Sequence, residues 1–411
     1  MLLLALSLAL AAPSQSAVAP NLPNDPKADS DIVVLGTRIS EMKAAVARCA
    51  AQGCTPEKDA AAALALSHAQ FLMGEYEAAR RTLWAALDRN KASARQHPLP
   101  YAALLRARVK IDSHLGEYED ARSGSIRQMI LLRDTLLAKD HNAIAARVQL
   151  ADVNAHIGQS RLAESQYRES LNLALAAGDV PVEIATRFRL AKFWTPKGNG
   201  PVSTSDRRKV AEILEPIITA VDDERRKYSV PARMIIARLA ERSGNADAIN
   251  AVLRDAPPGS MTAPQLLSFT PVEFKGRSAT CQDELEGKSS ANGYRTVDKV
   301  NTACHDPRNL VSPIDVDKQW INVGFWITPE GTVRDIEILQ RGSAYVGDWS
   351  KKVERAIGSR RYAPWRPQSG GPGLYRIERY SMTAPYFVPT GSTLRQHSTQ
   401  TTLEIADITA W

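Results

Sequence analysis

The sequence predicts a multidomain chain combining α and α+β classes: an N-terminal α-solenoid of helix pairs followed by a small ββαβ domain. Three observations predict it. Glycines recur at 74, 116 and 158, each 42 residues from the next and each between two stretches of helical apolar periodicity. From Val311 the texture changes to the alternating pattern of half-buried strands. With 411 residues and 44% apolar content, the chain holds more than one core and is too hydrophobic to be disordered. The net charge of +7 is a mild basic excess, and no block of like charge marks a nucleic-acid tail. No apolar run reaches the ~20 residues of a membrane helix, which excludes a multi-span membrane protein. Four cysteines are too few for a disulfide-dense mini-domain.

The elements follow in chain order. Met1 to Ala12 is apolar apart from Ser7, and small residues follow it to Ala19, so residues 1–19 read as a signal peptide without a basic start. Export to the periplasm is expected; if the segment stays on the chain, it anchors the protein in the inner membrane and is its one membrane contact. Residues 20–57 read as a linker holding a short β-prone stretch, Asp31 to Arg38, and the cysteines Cys49 and Cys54. Export favours disulfides, and of three possible connectivities the simplest joins Cys49 to Cys54 and Cys281 to Cys304. A zinc site is the rival, but no CxxC knuckle is present.

Residues 58–256 carry the repeat. Gly74-Glu75-Tyr76-Glu77-Ala78-Ala79 recurs as Gly116-Glu117-Tyr118-Glu119-Asp120-Ala121 and more loosely as Gly158-Gln159-Ser160-Arg161-Leu162-Ala163, with Gly200 and Gly244 near the next two steps. Glycine suits the end of a first helix, where left-handed dihedrals are required. The small Ala79, Ala121 and Ala163 let the second helix approach closely. These residues resemble the Gly-x-Tyr-x-x-Ala portion of the tetratricopeptide repeat, with a period longer than the ~34 residues of that family. The resemblance implies a scaffold whose surface holds an extended peptide or another protein. Gln70, Asp112 and Asn154, at one register position of the first helices, are candidates to line that surface, and His114 and His156 are expected to pack or line it.

Residues 257–310 read as a second linker, with Cys281 and Cys304, and residues 391–411 as a tail. Between them, 311–390 predicts a strand over Trp320 to Ile327, a turn at Pro329-Glu330-Gly331, a second strand over Val333 to Leu339, a helix over Asp348 to Gly358 and a long strand over Leu374 to Phe387. Pro385 near its end favours an edge strand. This order, with Val-Arg-Asp-Ile-Glu-Ile-Leu in the second strand and Arg-Tyr-Ala-Pro after the helix, resembles the C-terminal domain of TonB-type energy transducers. The resemblance implies a periplasmic domain whose edge strand pairs with an extended partner segment, such as that of an outer-membrane receptor. The partner-binding residues expected on that edge are Tyr375, Arg376, Glu378, Tyr380 and Thr383. Asp31 to Arg38 also resembles the extended segment such domains grip.

Catalytic motifs are missing: no Gly-x-Ser-x-Gly, P-loop, Gly-x-Gly-x-x-Gly or His-Glu-x-x-His occurs. The chain is expected not to be an enzyme and to hold no catalytic residue, cofactor or metal. An arginine and tyrosine cluster over Arg360 to Tyr380 reads as arginines snorkelling on a sheet rather than as a nucleic-acid surface. The leading expectation is an envelope protein-interaction protein, with an anchored energy transducer for outer-membrane receptor transport as the alternative.

Overall fold

The computed structural model describes residues 31–195, 202–245, 247–255, 263–270, 272, 315–367, 371–384, 386–387, 393–394, 396–397 and 401–409. The signal-peptide segment, Gly200, Pro385, Cys281 and Cys304 lie outside these residues. The chain divides into two compact units, one chiefly of helices up to Ala256 and one chiefly from Pro257 onward.

The first unit is a solenoid-like array of helical repeats. Helix α1 (Asp31–Gln52) precedes the pairs α2 (Pro56–Leu72) with α3 (Tyr76–Asn90), α4 (Pro98–His114) with α5 (Tyr118–Thr135), and α6 (His141–His156) with α7 (Ser160–Ala177). Helices α8 (Val180–Trp194), α9 (Thr204–Ile218), α10 (Asp223–Arg226), α11 (Ser229–Glu241) and α12 (Ala248–Asp255) continue it. Local chemistry starts these helices: the Thr55 hydroxyl accepts from Lys58 N–H ahead of Pro56, and Asp140 and Asp179 accept from Asn142 and Val182 N–H. The predicted glycines end the first helices. Gly74, Gly116 and Gly158 have φ of 75°, 78° and 81°. After two of them the next N–H closes the end, Glu75 onto Gln70 O at 2.8 Å and Gln159 onto Asn154 O at 2.9 Å. Ala79, Ala121 and Ala163 are fully buried, with Ala121 packed between Val109 and Val153. A larger core runs through α6 to α11, built on Ile144, Tyr167, Phe188, Leu190 and Leu214.

The β-prone reading of Asp31 to Arg38 is corrected: these residues are the first turns of the 22-residue helix α1. Isoleucine and valine cost a helix only a few tenths of a kcal/mol each. Each residue that extends an existing helix gains a backbone hydrogen bond, so the longer periodic pattern downstream prevails. Cys49 sits in the last turn of this helix and is bonded to Cys54 beyond it.

The second unit is built on a four-stranded antiparallel sheet. Its elements are β1 (Leu266–Ser268), β2 (Trp320–Ile327), β3 (Val333–Arg341), α13 (Trp349–Gly358), β4 (Arg361–Tyr362), β5 (Leu374–Thr383), β6 (Tyr386–Phe387), β7 (Gln396–His397) and β8 (Thr402–Asp407). The strand order is β3-β2-β5-β8; β1 pairs with β4 and β6 with β7. One face carries Ile321, Val323, Phe325 and Ile327 from β2, Tyr380 from β5 and Leu403 from β8 into a core with Trp349, Val353 and Ile357 of α13. Strand, turn, strand, helix and long strand thus occur where the periodicity places them, and three readings change. Residues 257–310 contribute β1 to this unit, and the tail 391–411 contributes β7 and β8. The long strand stops at Thr383, and Tyr386–Phe387 pairs elsewhere.

Candidate interaction surfaces

The expected partner-binding edge is occupied by the protein itself. Strand β5 pairs with β2 along Leu374 to Ser381 and, on its other side, with β8 from Glu378 to Thr383. It is therefore an inner strand, and the edge assignment of Tyr375, Arg376, Glu378, Tyr380 and Thr383 is corrected. The reason is non-local: the strand that fills the seat comes from the tail, whose alternation in Thr402 to Asp407 is too short to announce a strand by itself.

Each of the five residues packs or bonds within the sheet unit. Arg360 and Glu378 form a buried two-pronged ion pair, Nη1 to Oε1 at 2.9 Å and Nη2 to Oε2 at 2.8 Å. The Tyr380 hydroxyl accepts from Arg360 Nη2 at 2.7 Å and donates to Glu378 Oε2 at 2.6 Å. Burial alone raises the Glu378 carboxyl, but the Arg360 charge outweighs it and holds the pKa below the ordinary carboxylate value. Arg376 bridges strands, 3.4 Å from Glu378 and 2.5 Å from Asp407 of β8. Thr383 is buried opposite Thr402. Tyr375 lies on the other face, its ring 5.3 Å from Trp326 and its hydroxyl over Gly324, where a Cβ would stand 2.1 Å away. On that face the Arg379 guanidinium, fully buried, stacks 4.1 Å over Trp320 and donates to Asn322 Oδ1 at 2.8 Å.

Among the described residues the sheet's edge strands are β3 and β8, and they differ. The β2–β3 register shifts twice and Asp335 of β3 has φ of 52°, so this edge is bulged, with Arg334, Asp335 and Glu337 along it. The β5–β8 register runs from Thr402 to Asp407 without a shift. Ile408 N–H points inward to Ile377 O at 2.9 Å. Alternation along an antiparallel strand then turns the N–H groups of Leu403, Ile405 and Asp407 to the open side.

In the repeats, the register residues Gln70, Asp112 and Asn154 are buried rather than groove-lining. Gln70 Oε1 accepts from Thr82 at 2.8 Å, and Asn154 Nδ2 donates to Gln166 at 2.8 Å. An arginine of the preceding second helix reaches each of the later two: Arg80 Nε lies 2.8 Å from Asp112 and Arg122 Nε donates to Asn154 at 3.2 Å. Arg80 and Arg122 are themselves 42 residues apart, so the sequence shows the two arginines as a second register, and the structure shows what they bond. His156 packs its ring 4.8 Å from Tyr118. Recesses open on the array, two of them lined by described residues as follows. One is lined by Glu77, Arg80, Arg81, Trp84 and Arg108, with Trp84 59% exposed. The other holds Arg168, Leu171, Arg187 and Lys209. Among the described residues, no cluster of acidic, histidine or cysteine side chains could hold a metal, and no helix is long and apolar enough to cross a membrane.

No protein-family model matches the chain, and no curated protein matches it. Among solved structures it is similar to BtubC (BKLC) from P. vanneervenii, at 14% identity and a TM-score of 0.44, over 54% of this chain and 89% of that one. It is similar to a Podosopora anserina protein of nearly identical TPR-like repeats, named for kinesin light chain, at 14% identity and a TM-score of 0.39, over 48% of this chain and 93% of that one. The apo form of RapI gives 12% identity and a TM-score of 0.41, over 56% of this chain and 60% of that one. The repeat architecture stands on the chain's own geometry: glycine-terminated helix pairs, buried alanines and inter-repeat arginines in one register.

Proposed function

We propose that this chain is a protein-interaction scaffold of the cell envelope, in which the helical repeats hold one partner and the C-terminal sheet pairs with an extended segment of another. The reading keeps the TonB-type resemblance of the sheet unit for strand pairing and moves the pairing edge from β5 to β8. One observation carries it: of the two edge strands among the described residues, β3 is bulged and charged, whereas β8 is regular and turns three N–H groups outward. The backbone supplies the affinity in such pairing, so the partner's side chains matter less than its extended form. The export signal read at residues 1–19 supports the envelope location.

The test uses the full chain in cells. A photo-crosslinking side chain at Ala406 of β8 should yield a discrete adduct in the envelope fraction, and one at Glu337 of β3 should not. Mass spectrometry should place the cross-link within an extended partner segment, and Ile405→Pro, which removes an outward N–H, should abolish it. Adducts from Glu337 alone, or a chain confined to the cytosol, would overturn the proposal.

A further inference from the structure

The second helices α3, α5 and α7 each bury the same two register positions, one turn apart, and α5 fills them differently. In α3 they hold Leu83 and Ala86, both fully buried. In α5, 42 residues on, they hold Ser125 and Gln128, also fully buried. In α7, a further 42 residues on, they hold Tyr167 and Ser170. The Tyr167 hydroxyl donates to Asp152 Oδ1 at 2.6 Å, and the Ser170 hydroxyl donates to Gln166 O at 2.7 Å. The α3 pair is thus apolar and the α7 pair is bonded. Among the described residues, neither the Ser125 hydroxyl nor either end of the Gln128 amide has a hydrogen-bond partner.

The helices on either side meet α5 with apolar groups. Ala121 packs with Val109 of α4 and Val153 of α6, and Leu132 with Ala102 and Ala146. The approach is close: a Cβ added at Gly124 would stand 2.8 Å from Val109 Cγ2. That contact requires a glycine in the interior of α5, where it weakens the helix. One turn of α5 therefore combines a weak helix former with polar groups taken from water and given no bond in return. In a repeat array each unit touches chiefly its neighbours, so these costs fall on α5 and are not shared along the array.

We infer that α5 is the joint of the array, the helix that leaves its packing on α4 and α6 while α3 and α7 stay folded. Opening returns Ser125 and Gln128 to water, which makes it easier here than at the other two second helices. The inference does not depend on strand pairing at β8, and the two fail separately.

The test is hydrogen exchange of the full chain, followed by mass spectrometry. Amides of α5 should be protected about tenfold less than those of α3 and α7. Ser125→Ala combined with Gln128→Met puts apolar groups of similar shape at both positions. It should raise α5 protection about tenfold and raise the melting temperature, against the usual loss on changing buried residues. Ser170→Ala removes a hydroxyl that has its partner, and it should not raise the protection of α7. An equal gain in α7 would trace the effect to the helix propensity of alanine and overturn the inference. Protection of α5 that already matches α3 and α7 in the parent would overturn it as well. So would a double variant that melts lower, the result expected if ordered water bonds Ser125 and Gln128 within the packed helices.

Discussion

Both units bury polar side chains, and they satisfy them across different stretches of chain. In the helical repeats the partners are near and periodic: Thr82 reaches Gln70 and Asn154 reaches Gln166 across 12 residues, and Arg122 reaches Asn154 across 32. In the sheet unit the partners follow no period, with Arg360 and Glu378 separated by 18 residues, Arg376 and Asp407 by 31, and Asn322 and Arg379 by 57. A repeat array is held mainly by bonds between neighbours, so damage stays local. A single sheet concentrates its charges in one core, where one lost partner strands another charge in a medium that cannot solvate it.

The comparison can be broken first at Arg360. Arg360→Met leaves Glu378 buried without its cation, and the sheet unit should lose about 3–5 kcal/mol, seen as an earlier transition in urea followed by tryptophan fluorescence. A loss below about 1 kcal/mol would mean that the pair is dispensable. In the repeats the largest effect should come from Ala121→Leu, which forces a branched side chain between Val109 and Val153 and should cost about 2 kcal/mol in a far-ultraviolet circular dichroism melt. Gly158→Ala tests the turn itself. Nothing stands within 4 Å of the added Cβ, so the cost is that of holding φ near 81°, about 1 kcal/mol in the same melt.

The smallest effect is set by pH. The His397 ring lies 3.2 Å from Asp317 Oδ1 and 2.9 Å from Ala384 O, two acceptors that together call for the doubly protonated ring. Burial alone lowers its pKa, but the bonds to Asp317 and Ala384 and the charges of Asp317 and Asp315 raise it above the ordinary 6.5. A folded value above the unfolded one means that this stabilisation is complete below about pH 6 and is lost as pH rises through the folded value. Its size should be about 1 kcal/mol or less. Nuclear magnetic resonance titration of the His397 ring checks the direction, and His397→Gln should remove the pH dependence; a midpoint below 6.5 would contradict the geometry.

Much of the fold was legible because its causes are local. The glycine register, the alanines at 79, 121 and 163, and the hairpin through Pro329-Glu330-Gly331 each follow from what a turn or a close helix contact requires of one residue. The candidate surfaces were less legible. Gln70, Asp112 and Asn154 were found by register yet assigned to a groove, because periodicity shows that positions are equivalent and leaves open whether they face solvent or the neighbouring repeat. The five residues on β5 were found as a strand yet assigned to an edge. A strand's own pattern records which face is buried and carries no record of how many neighbours it has.

The sequence by itself determined the two-part architecture, the helix pairs with their period of 42 residues and the ββαβ order, since propensity, capping and apolar period act within a few residues. Only the tertiary structure decided that Asp31 to Arg38 continues a helix, that the tail supplies β8 and closes the seat on β5, and that arginines bond one repeat to the next. Those outcomes depend on backbone and charged groups meeting across tens of residues, where the free energy of a pairing belongs to neither segment alone.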